Sequence, residues 1–268
     1  MVWPRRDLGR RLAATVLVGA LVDGCTLFVD TGGLAGDTGA APPDAAALDA
    51  GGTTEAGEGG DAAPPAWRSK LEAEWLFDET SGTTARDTSG RGHDATLVGG
   101  GVWTSGQVRG AISLDGVDDH CTVASAATID VGGGVTLTAW VRSRAAVSGV
   151  NPTIFVFWSS SGPSAYVRVN GRRFQFLAAS GFVLAETEVP FGQWAHIALT
   201  SDGKNAQWFV NGKASGVGPV TMPLTALRAV YIGQDSSAAQ RYNGEIDQLR
   251  LFRGVLSVGE VADVMNER

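Results

Sequence analysis

Short alternating runs separated by Asn-Gly are the feature that most restricts the fold of this chain. The segments VRVNGRRFQF and WFVNGKAS each place Asn-Gly between two runs in which apolar and polar residues alternate. This dipeptide accepts positive φ at both central positions of a two-residue turn, so it favours a β-hairpin. LEAEWLF, VTLTAWV, TIFVFW and AYVRVN have the β-branched and aromatic content of strands. The pattern predicts an antiparallel β-sandwich or barrel.

The last stretch of the chain, SVGEVADVMNER, has a helical period. Ser257 can cap its first turn and Glu260 can cap back, with Leu256 packing against Val261. We therefore expect one short terminal helix after the last strand.

Composition and charge restrict the function classes. The 268 residues allow one large all-β domain or two small ones. The net charge is −7, but residues 26–66 carry seven acidic residues and no Lys or Arg, so the rest is nearly neutral. We find no basic stripe, and we expect no nucleic-acid partner.

The amino terminus has the pattern of an export signal. The apolar run Leu12–Val22 follows four arginines and is shorter than the roughly 20 residues that span a bilayer. It has the proportions of a signal-peptide core. The following VDGC resembles a bacterial lipoprotein signal, whose cysteine, here Cys25, is lipidated and becomes the mature terminus. Asp23 departs from that pattern, and an ordinary secretory signal with an incidental Cys25 is the alternative.

The segment 26–66 is predicted to be a disordered linker. Ala, Gly and Pro occupy 24 of its 41 positions. Such a segment cannot bury enough apolar surface to offset the entropy lost on ordering. As a flexible coil it would span roughly 35 Å. We expect residues 67–268 to form the domain and residues 1–25 to form the signal peptide.

Five segments, taken in order, resemble the laminin-G-like, concanavalin A-like jelly roll of secreted bacterial proteins over about residues 70–265. They are AEWLFDETSGTTARDTSGRGHDATLVGG, GAISLDGVDDHCTV, VTLTAWVRS, FGQWAHIALTSDGKNAQWFVNGK and YNGEIDQLRLFRGVLSVGEV. The resemblance implies two antiparallel sheets of six or seven strands packed face to face. It also implies a family whose members often bind carbohydrate or protein partners and in many cases calcium.

One carboxylate near the end of the chain falls among apolar residues. In GEIDQLRLF, alternation places Asp247 on the face of Leu249 and Leu251, where a carboxylate needs a partner or a cation. In the strand order that the resemblance implies, the first and last strands lie side by side, which would bring Asp78 near Asp247. Calcium prefers roughly six to eight hard oxygens. The expected ligands of a structural calcium are Asp78, Asp94, Asp115 and Asp247.

The segment AISLDGVDDHCTVA places three aspartates beside apolar strand residues. Asp115-Gly116 is also consistent with an ordinary turn, because Asp side chains often bond their own backbone. We expect Asp118 and Asp119 to face solvent. A solvated turn and a cation site both remain open.

Catalytic patterns are weak in this sequence. The opening of GEIDQLRLF resembles the catalytic strand of laminarinase-type glycosidases, which need a second glutamate two or three places after the aspartate. Leu249 and Arg250 stand there, so Glu245 is interpreted as an ordinary strand residue. His93, His120 and His196 lack metal-ligand spacing. We expect no enzyme activity.

Five of the eight tryptophans are candidates for the core or for ligand binding. Those inside strand motifs are expected in the core, namely Trp75, Trp140, Trp194 and Trp208. Trp158 instead ends IFVFW just before the loop SSSGPS, where its ring could project from the rim of a sheet. Trp158 and the following Tyr166 and Arg168 are the candidate ligand-binding residues.

These features lead to one functional expectation with alternatives. The expected activity is non-catalytic binding of carbohydrate or a surface polymer at the bacterial cell envelope, with membrane contact only through the lipid anchor. Simple secretion is the alternative location. The alternative functions are an adhesion or scaffolding module that binds an envelope protein, and an uncharacterised polysaccharide hydrolase or lyase.

Overall fold

The part of the chain that the structure describes is an antiparallel β-sandwich, as predicted. The computed structural model describes residues 63–145, 150–159, 165–222, 227–235 and 237–267. The expected signal peptide with Cys25, and all of the expected linker up to residue 62, lie outside these ranges. Within them, every helix is too short or too polar to cross a membrane.

Sixteen strands and one α-helix follow each other along the described residues, together with 3-10 helices at Ala66–Lys70 and Ala126–Thr128. The bounds are β1 Leu71–Trp75, β2 Thr84–Ala85, β3 Ala95–Val98, β4 Val102–Ser105, β5 Gly110–Asp115, β6 His120–Val123, β7 Val135–Ser143, β8 Thr153–Ser159, β9 Ala165–Asn170, β10 Arg173–Ala178, β11 Gly181–Leu184, β12 Ala195–Ser201, β13 Asn205–Val210, β14 Lys213–Pro219, β15 Leu227–Ile232, β16 Asn243–Arg253 and α1 Val258–Asn266.

The strands form two sheets of eight, one or two strands more per sheet than the resemblance implies. Sheet A has the order β14-β13-β12-β7-β16-β5-β4, and β1 also pairs with β16. Sheet B has the order β11-β10-β9-β8-β15-β6-β3-β2. The first and last strands of the domain are therefore neighbours, as expected, with Trp75 opposite Leu249.

The two Asn-Gly hairpins form with one difference in register. Asn211 and Gly212 have φ of 50° and 74° and close the β13–β14 hairpin. In the other hairpin Asn170 pairs with Arg173, so the turn residues are Gly171 and Arg172 rather than Asn170 and Gly171.

The core lies between the sheets. Its largest side chains include Trp75, Phe155, Phe176 and Trp208, all essentially buried. Trp75 and Trp208 are thus core residues, as predicted. Cys121 is a free thiol inside the same core, where burial raises its pKa to about 12.

Helix α1 begins with the predicted capping box. Ser257 Oγ accepts the Glu260 backbone N–H, and Glu260 Oε2 accepts the Ser257 N–H at 2.8 Å. The helix covers the outer face of sheet A through a second apolar cluster, which contains Trp67, Leu71, Ala198, Phe209, Phe252, Leu256, Val261 and Val264.

A bulge in β16 overturns the predicted alternation. Gln248 has φ of 47°, and the register against β7 shifts between Asp247 and Arg250. One inserted residue reverses the facing of the side chains that follow it. Ile246 and Leu249 therefore both point into the core, and Asp247 lies on the outer face opposite Trp140.

Candidate functional site

Three aromatic side chains lie together on the outer face of sheet B. Trp158, Tyr166 and Tyr231 alternate with residues of the core and are each half-buried. The rings of Trp158 and Tyr231 are 5.6 Å apart. Val156 stands between Tyr231 and Tyr166, opposite both in the pairing of β15, β8 and β9. We call Trp158, Tyr166 and Tyr231 the aromatic face.

Polar groups border the aromatic face. The Arg168 guanidinium lies 4.9 Å from the Tyr166 ring centre and donates through Nη1 to Gln240 Oε1 at 3.1 Å. Burial lowers the Arg168 pKa. Thr153 lies opposite Arg168, and Thr153 Oγ1 and Arg168 Nε are buried without a partner among the described residues. Flat rings beside convergent hydrogen-bonding groups are typical of small-molecule sites.

The structure therefore brings the three predicted ligand residues onto one face and adds Tyr231 to them. The Arg228 guanidinium carbon lies 5.6 Å from the centre of the Trp158 ring. Tyr231 follows the apolar Val230 in a strand-like run, but its position beside Trp158 depends on β15 pairing with β8. That pairing joins strands that are far apart in the sequence, so sequence reasoning missed Tyr231.

The three aspartates between β5 and β6 form the aspartate turn, Asp115–Asp119. One carboxylate oxygen from each of Asp115, Asp118 and Asp119 lies within 4.8 Å of the others, the one such acidic group in the described ranges. Asp119 is buried, contrary to the expectation that it faces solvent, because its Oδ2 accepts the Asp115 backbone N–H at 3.0 Å. Asp118 is exposed, as expected.

The charges of the aspartate turn repel each other. Burial raises the pKa of Asp119, and the carboxylates of Asp115 and Asp118 raise it further. The pKa of Asp115 is lowered, chiefly because its carboxylate accepts the Val117 N–H, at 2.7 Å. The turn offers carboxylate oxygens, the ligand type that calcium prefers, and Asp115 and Asp119 each use one oxygen to accept a backbone N–H.

Asp78 and Asp247 come together, but they bind backbone. Both accept backbone N–H groups of the segment 106–110, which joins β4 to β5. The Gly110 N–H donates to Asp78 Oδ1 and the Val108 N–H donates to Asp247 Oδ2, each at 2.8 Å. Arg109 also pairs with Asp78 at 3.1 Å. These donors occupy both oxygens of Asp78 and one oxygen of Asp247, while Asp247 Oδ1 has no partner among the described residues.

The fourth predicted ligand lies in another turn. Asp94 is exposed, and its Oδ1 accepts the Asp87 N–H at 2.8 Å. The predicted ligand set is thus divided over three turns, those of Asp94, Asp115 and the 106–110 segment.

Asp247 occupies an unusual place in sheet A. On one side of β16, β5 pairs with residues 243–246 and β1 pairs with residues 249–252, and Asp247 stands where one neighbour ends and the other begins. Burial raises the Asp247 pKa to about 7, the charge of Asp78 raises it, and the N–H groups of Gln107 and Val108 oppose the rise.

Glu245 is buried and held by two arginines. Arg142 Nε donates to it at 2.9 Å, and Arg144 pairs with its other oxygen.

Two tryptophans that were predicted to lie in the core lie outside it. Trp140 is on the outer face of sheet A, and Trp194 is half-buried with the Arg142 guanidinium 5.0 Å from its ring.

The sequence profile of the concanavalin A-like lectin/glucanases superfamily matches residues 115–262. No curated protein matches the chain. Among solved structures, domain 4 of the arabinanase AbnA of Geobacillus stearothermophilus, in complex with arabinotriose, is 20% identical with a TM-score of 0.58, covering 73% of this chain and 98% of that one.

Two toxin structures are also similar. The binding domain of Paraclostridial Mosquitocidal Protein 1 is 13% identical with a TM-score of 0.61, covering 75% of this chain and 52% of that one. A botulinum neurotoxin type C structure, described as interacting with two ganglioside molecules, is 14% identical with a TM-score of 0.56, covering 75% and 51%. The chain thus spans about half of each toxin chain, and at these identities the likeness establishes a shared fold.

Proposed function

Because the chain belongs to the concanavalin A-like lectin/glucanases superfamily, we propose that it is a non-catalytic module that binds carbohydrate through the aromatic face of sheet B. The observation that carries the proposal is the placement of Trp158, Tyr166 and Tyr231, each half-buried, on the same outer face of sheet B, with Trp158 and Tyr231 in ring contact.

The chemistry of the aromatic face suits a sugar. A sugar ring has an apolar C–H face that can lie flat on an aromatic ring, and hydroxyl groups around its edge that need hydrogen-bond partners. Trp158 and Tyr231 supply two rings 5.6 Å apart. Arg168 and Thr153 supply buried polar groups at the Tyr166 end of the face, with Arg168 Nε and Thr153 Oγ1 not otherwise engaged among the described residues. A few convergent polar groups then set the orientation of the ligand.

The similar structures support the ligand class. The arabinanase domain is described in complex with arabinotriose, and the neurotoxin as interacting with ganglioside molecules. The first of these is covered over 98% of its length, so it is comparable to the whole β-sandwich rather than to part of it.

The proposal also includes the setting of the domain. A signal ending at Cys25 would export the chain and anchor it by a lipid to the cell envelope, and the linker 26–66 would hold the β-sandwich away from the membrane. A structural calcium would be held by Asp115, Asp118 and Asp119, where it would neutralise three mutually repelling carboxylates.

A second candidate function is a protein-binding role in the envelope. Phe182 on edge strand β11 is 59% exposed and Val217 on edge strand β14 is 69% exposed. Exposed apolar side chains on strand edges favour contact with another protein. A pull-down from envelope extract that is lost in Phe182→Ser, with glycan binding absent, would favour this alternative.

A glycan array with the full chain tests the main proposal. We expect binding to at least one neutral or acidic oligosaccharide, and a loss of about tenfold or more in Trp158→Ala, as for a buried aromatic contact. Trp194→Ala is the matched control, because Trp194 is also half-buried beneath an arginine but lies just before β12 of sheet A, away from the aromatic face. No binding by the unaltered chain, or equal losses in both variants, would refute the proposal.

A further inference from the structure

One straight row of residues crosses the whole outer face of sheet B. From β11 to β2, each member is the direct cross-strand partner of the next, through all eight strands. The first five members are Phe182, Leu177, Tyr166, Val156 and Tyr231, and the last three are Thr122, Thr96 and Thr84. We call these residues the cross-strand row. With strands about 4.8 Å apart, the row is about 34 Å long.

The cross-strand row faces solvent. Its members alternate along each strand with core residues, such as Phe176 beside Leu177. Phe182 is 59% exposed, Thr96 and Thr84 are exposed, and the other members are half-buried, except for the buried Val156. A ligand that lies on sheet B therefore reaches every member of the row apart from Val156.

The chemistry of the row changes at Tyr231. On one side of it the row is apolar and aromatic, from Phe182 to Tyr166, and on the other side it consists of three threonines. Each threonine hydroxyl can donate and accept a hydrogen bond, and none of the three forms a side-chain hydrogen bond among the described residues. The row thus offers flat apolar surface over one half and free hydroxyl groups over the other.

Two larger side chains border the row at its centre. Val156 on β8 lies opposite Tyr166 on β9, and the two strands are antiparallel. Trp158 lies two residues after Val156. Arg168 lies two residues after Tyr166, which is the opposite direction. Trp158 and Arg168 therefore stand on opposite sides of the row, and the Arg168 guanidinium packs against the Tyr166 ring.

Sheet A does not offer an equivalent path within the described residues. Helix α1 covers Phe209 and Phe252 on its outer face. The ion pair between Arg142 and Glu245 occupies another part of that face. A long ligand can therefore cross sheet B without meeting a helix or an ion pair of this kind.

The repeat of the cross-strand row suits a glycan chain. The strand spacing of about 4.8 Å is close to the length that one sugar residue adds to an extended chain. A chain of about seven residues fits the 34 Å of the row. Its apolar ring faces can lie on the aromatic half, and its hydroxyl groups can reach the threonines.

We propose that sheet B binds an internal stretch of a linear glycan, extended across its eight strands along the cross-strand row, rather than a chain end or a single sugar. The inference rests on the proposed function and extends it beyond the aromatic face. Phe182 and Leu177 form the outer contacts at one end of the chain, and Thr96 and Thr84 form those at the other.

A homologous series of oligosaccharides measures the length of the site on the full chain. The probes are arabino-, xylo- and cello-oligosaccharides from the disaccharide to the octasaccharide, titrated by calorimetry. In a series that binds, we expect the affinity to rise about tenfold or more between the disaccharide and the hexasaccharide, because each added residue gains contacts. An affinity already maximal at the disaccharide would overturn the inference and leave the proposed function intact. No binding by any series would count against the proposed function, and the inference would fall with it.

Variants at the two ends of the row test its path. Phe182→Ala and Thr96→Ala should each weaken octasaccharide binding about two- to tenfold, the effect of one lost aromatic contact or hydrogen bond. Both should leave disaccharide binding within about twofold. Val217→Ala and Thr104→Ala are the matched controls, because both side chains are exposed on edge strands of sheet A.

Thermal melts verify that all four variants fold. Octasaccharide affinity that is unchanged in both Phe182→Ala and Thr96→Ala, or that falls equally in the two control variants, would overturn the inference.

Discussion

Asp78 and Asp247 hold the same turn from two strands that are neighbours in sheet A. Asp78 follows β1 and accepts the Gly110 N–H, and Asp247 lies within β16 and accepts the Val108 N–H, each at 2.8 Å. The turn of residues 106–110 enters β5, which occupies the edge of β16 next to β1. The two carboxylates thus stabilise this turn at the position where the partner of β16 changes from β5 to β1.

The first prediction concerns this shared turn. Asp78→Ala removes the acceptor of the Gly110 N–H and should lower the free energy of unfolding by about 1–2 kcal/mol. Asp78→Asn keeps an acceptor oxygen and should cost less. Arg109→Gln removes only an exposed ion pair and should cost about 1 kcal/mol or less. Urea unfolding measures all three, and an Arg109→Gln loss as large as that of Asp78→Ala would contradict the account.

A double-mutant cycle extends this test. If Asp78 and Asp247 fasten one turn, the loss from Asp247→Ala should be smaller by about 0.5 kcal/mol or more when Asp78 is already alanine. Strict additivity would mean that the two carboxylates act independently.

The second prediction concerns pH. The pKa of Asp247 is raised to about 7, so the folded state retains its proton longer than the unfolded state. Its contribution to the free energy of unfolding therefore falls as pH rises from about 4 to about 7. The pKa of His196 is lowered to about 3. Its contribution rises with pH from about 3 to about 6.5, so the two oppose each other over most of this range.

Single variants should separate the two contributions. Relative to the unaltered chain, Asp247→Asn should become more stable with rising pH, by up to about 1.4 kcal/mol per pH unit between about pH 4 and pH 7. His196→Gln should show the opposite slope below about pH 6.5. Urea titrations over this range measure both. Parallel pH profiles for all three proteins would refute the assignment.

The third prediction concerns calcium and the aspartate turn. Calcium at about 100 times its Kd should stabilise the fold by about 2.7 kcal/mol relative to chelator. Asp118→Asn should remove most of this gain and should be more stable than the unaltered chain in chelator, because it relieves repulsion on Asp119. Asp94→Asn, an exposed aspartate of another turn, should keep the gain. Identical melting temperatures with calcium and chelator would exclude a tight structural site.

The fourth prediction concerns the cap of α1. Ser257→Ala leaves the Glu260 N–H without its side-chain acceptor and should cost about 1 kcal/mol. Because α1 covers Phe209 and Phe252, the loss should appear in the global unfolding transition. Thermal denaturation followed by near-ultraviolet circular dichroism measures it, and an unchanged midpoint would mean that the helix frays without consequence.

Local signals predicted much of the fold. The Asn211-Gly212 hairpin and the Ser257 cap each depend on a few adjacent residues, and both form as expected. The pairing of β1 with β16 was expected from the family resemblance. The predicted facing of Asp247 failed because of one conformation, the positive φ of Gln248, which nothing in GEIDQLRLF indicates. That single inserted residue moves Asp247 from the predicted core face to the outer face.

The candidate site was predicted in part for the same reason. Trp158, Tyr166 and Arg168 were identified from their place near a loop, and alternation along β8 and β9 puts them on one face. Tyr231 is placed by the pairing of β15 with β8, two strands that are distant in sequence. Asp119 is buried because its side chain folds back and accepts the Asp115 N–H of its own turn. Neither leaves a local pattern.

A crystal structure of the full chain with the strongest glycan-array ligand tests the central claim most directly. The account predicts a sugar ring within about 4.5 Å of the rings of Trp158 and Tyr231, with hydroxyl groups directed towards Arg168 or Thr153. A ligand bound only at the strand edges or only on sheet A, with the aromatic face bare, would contradict it.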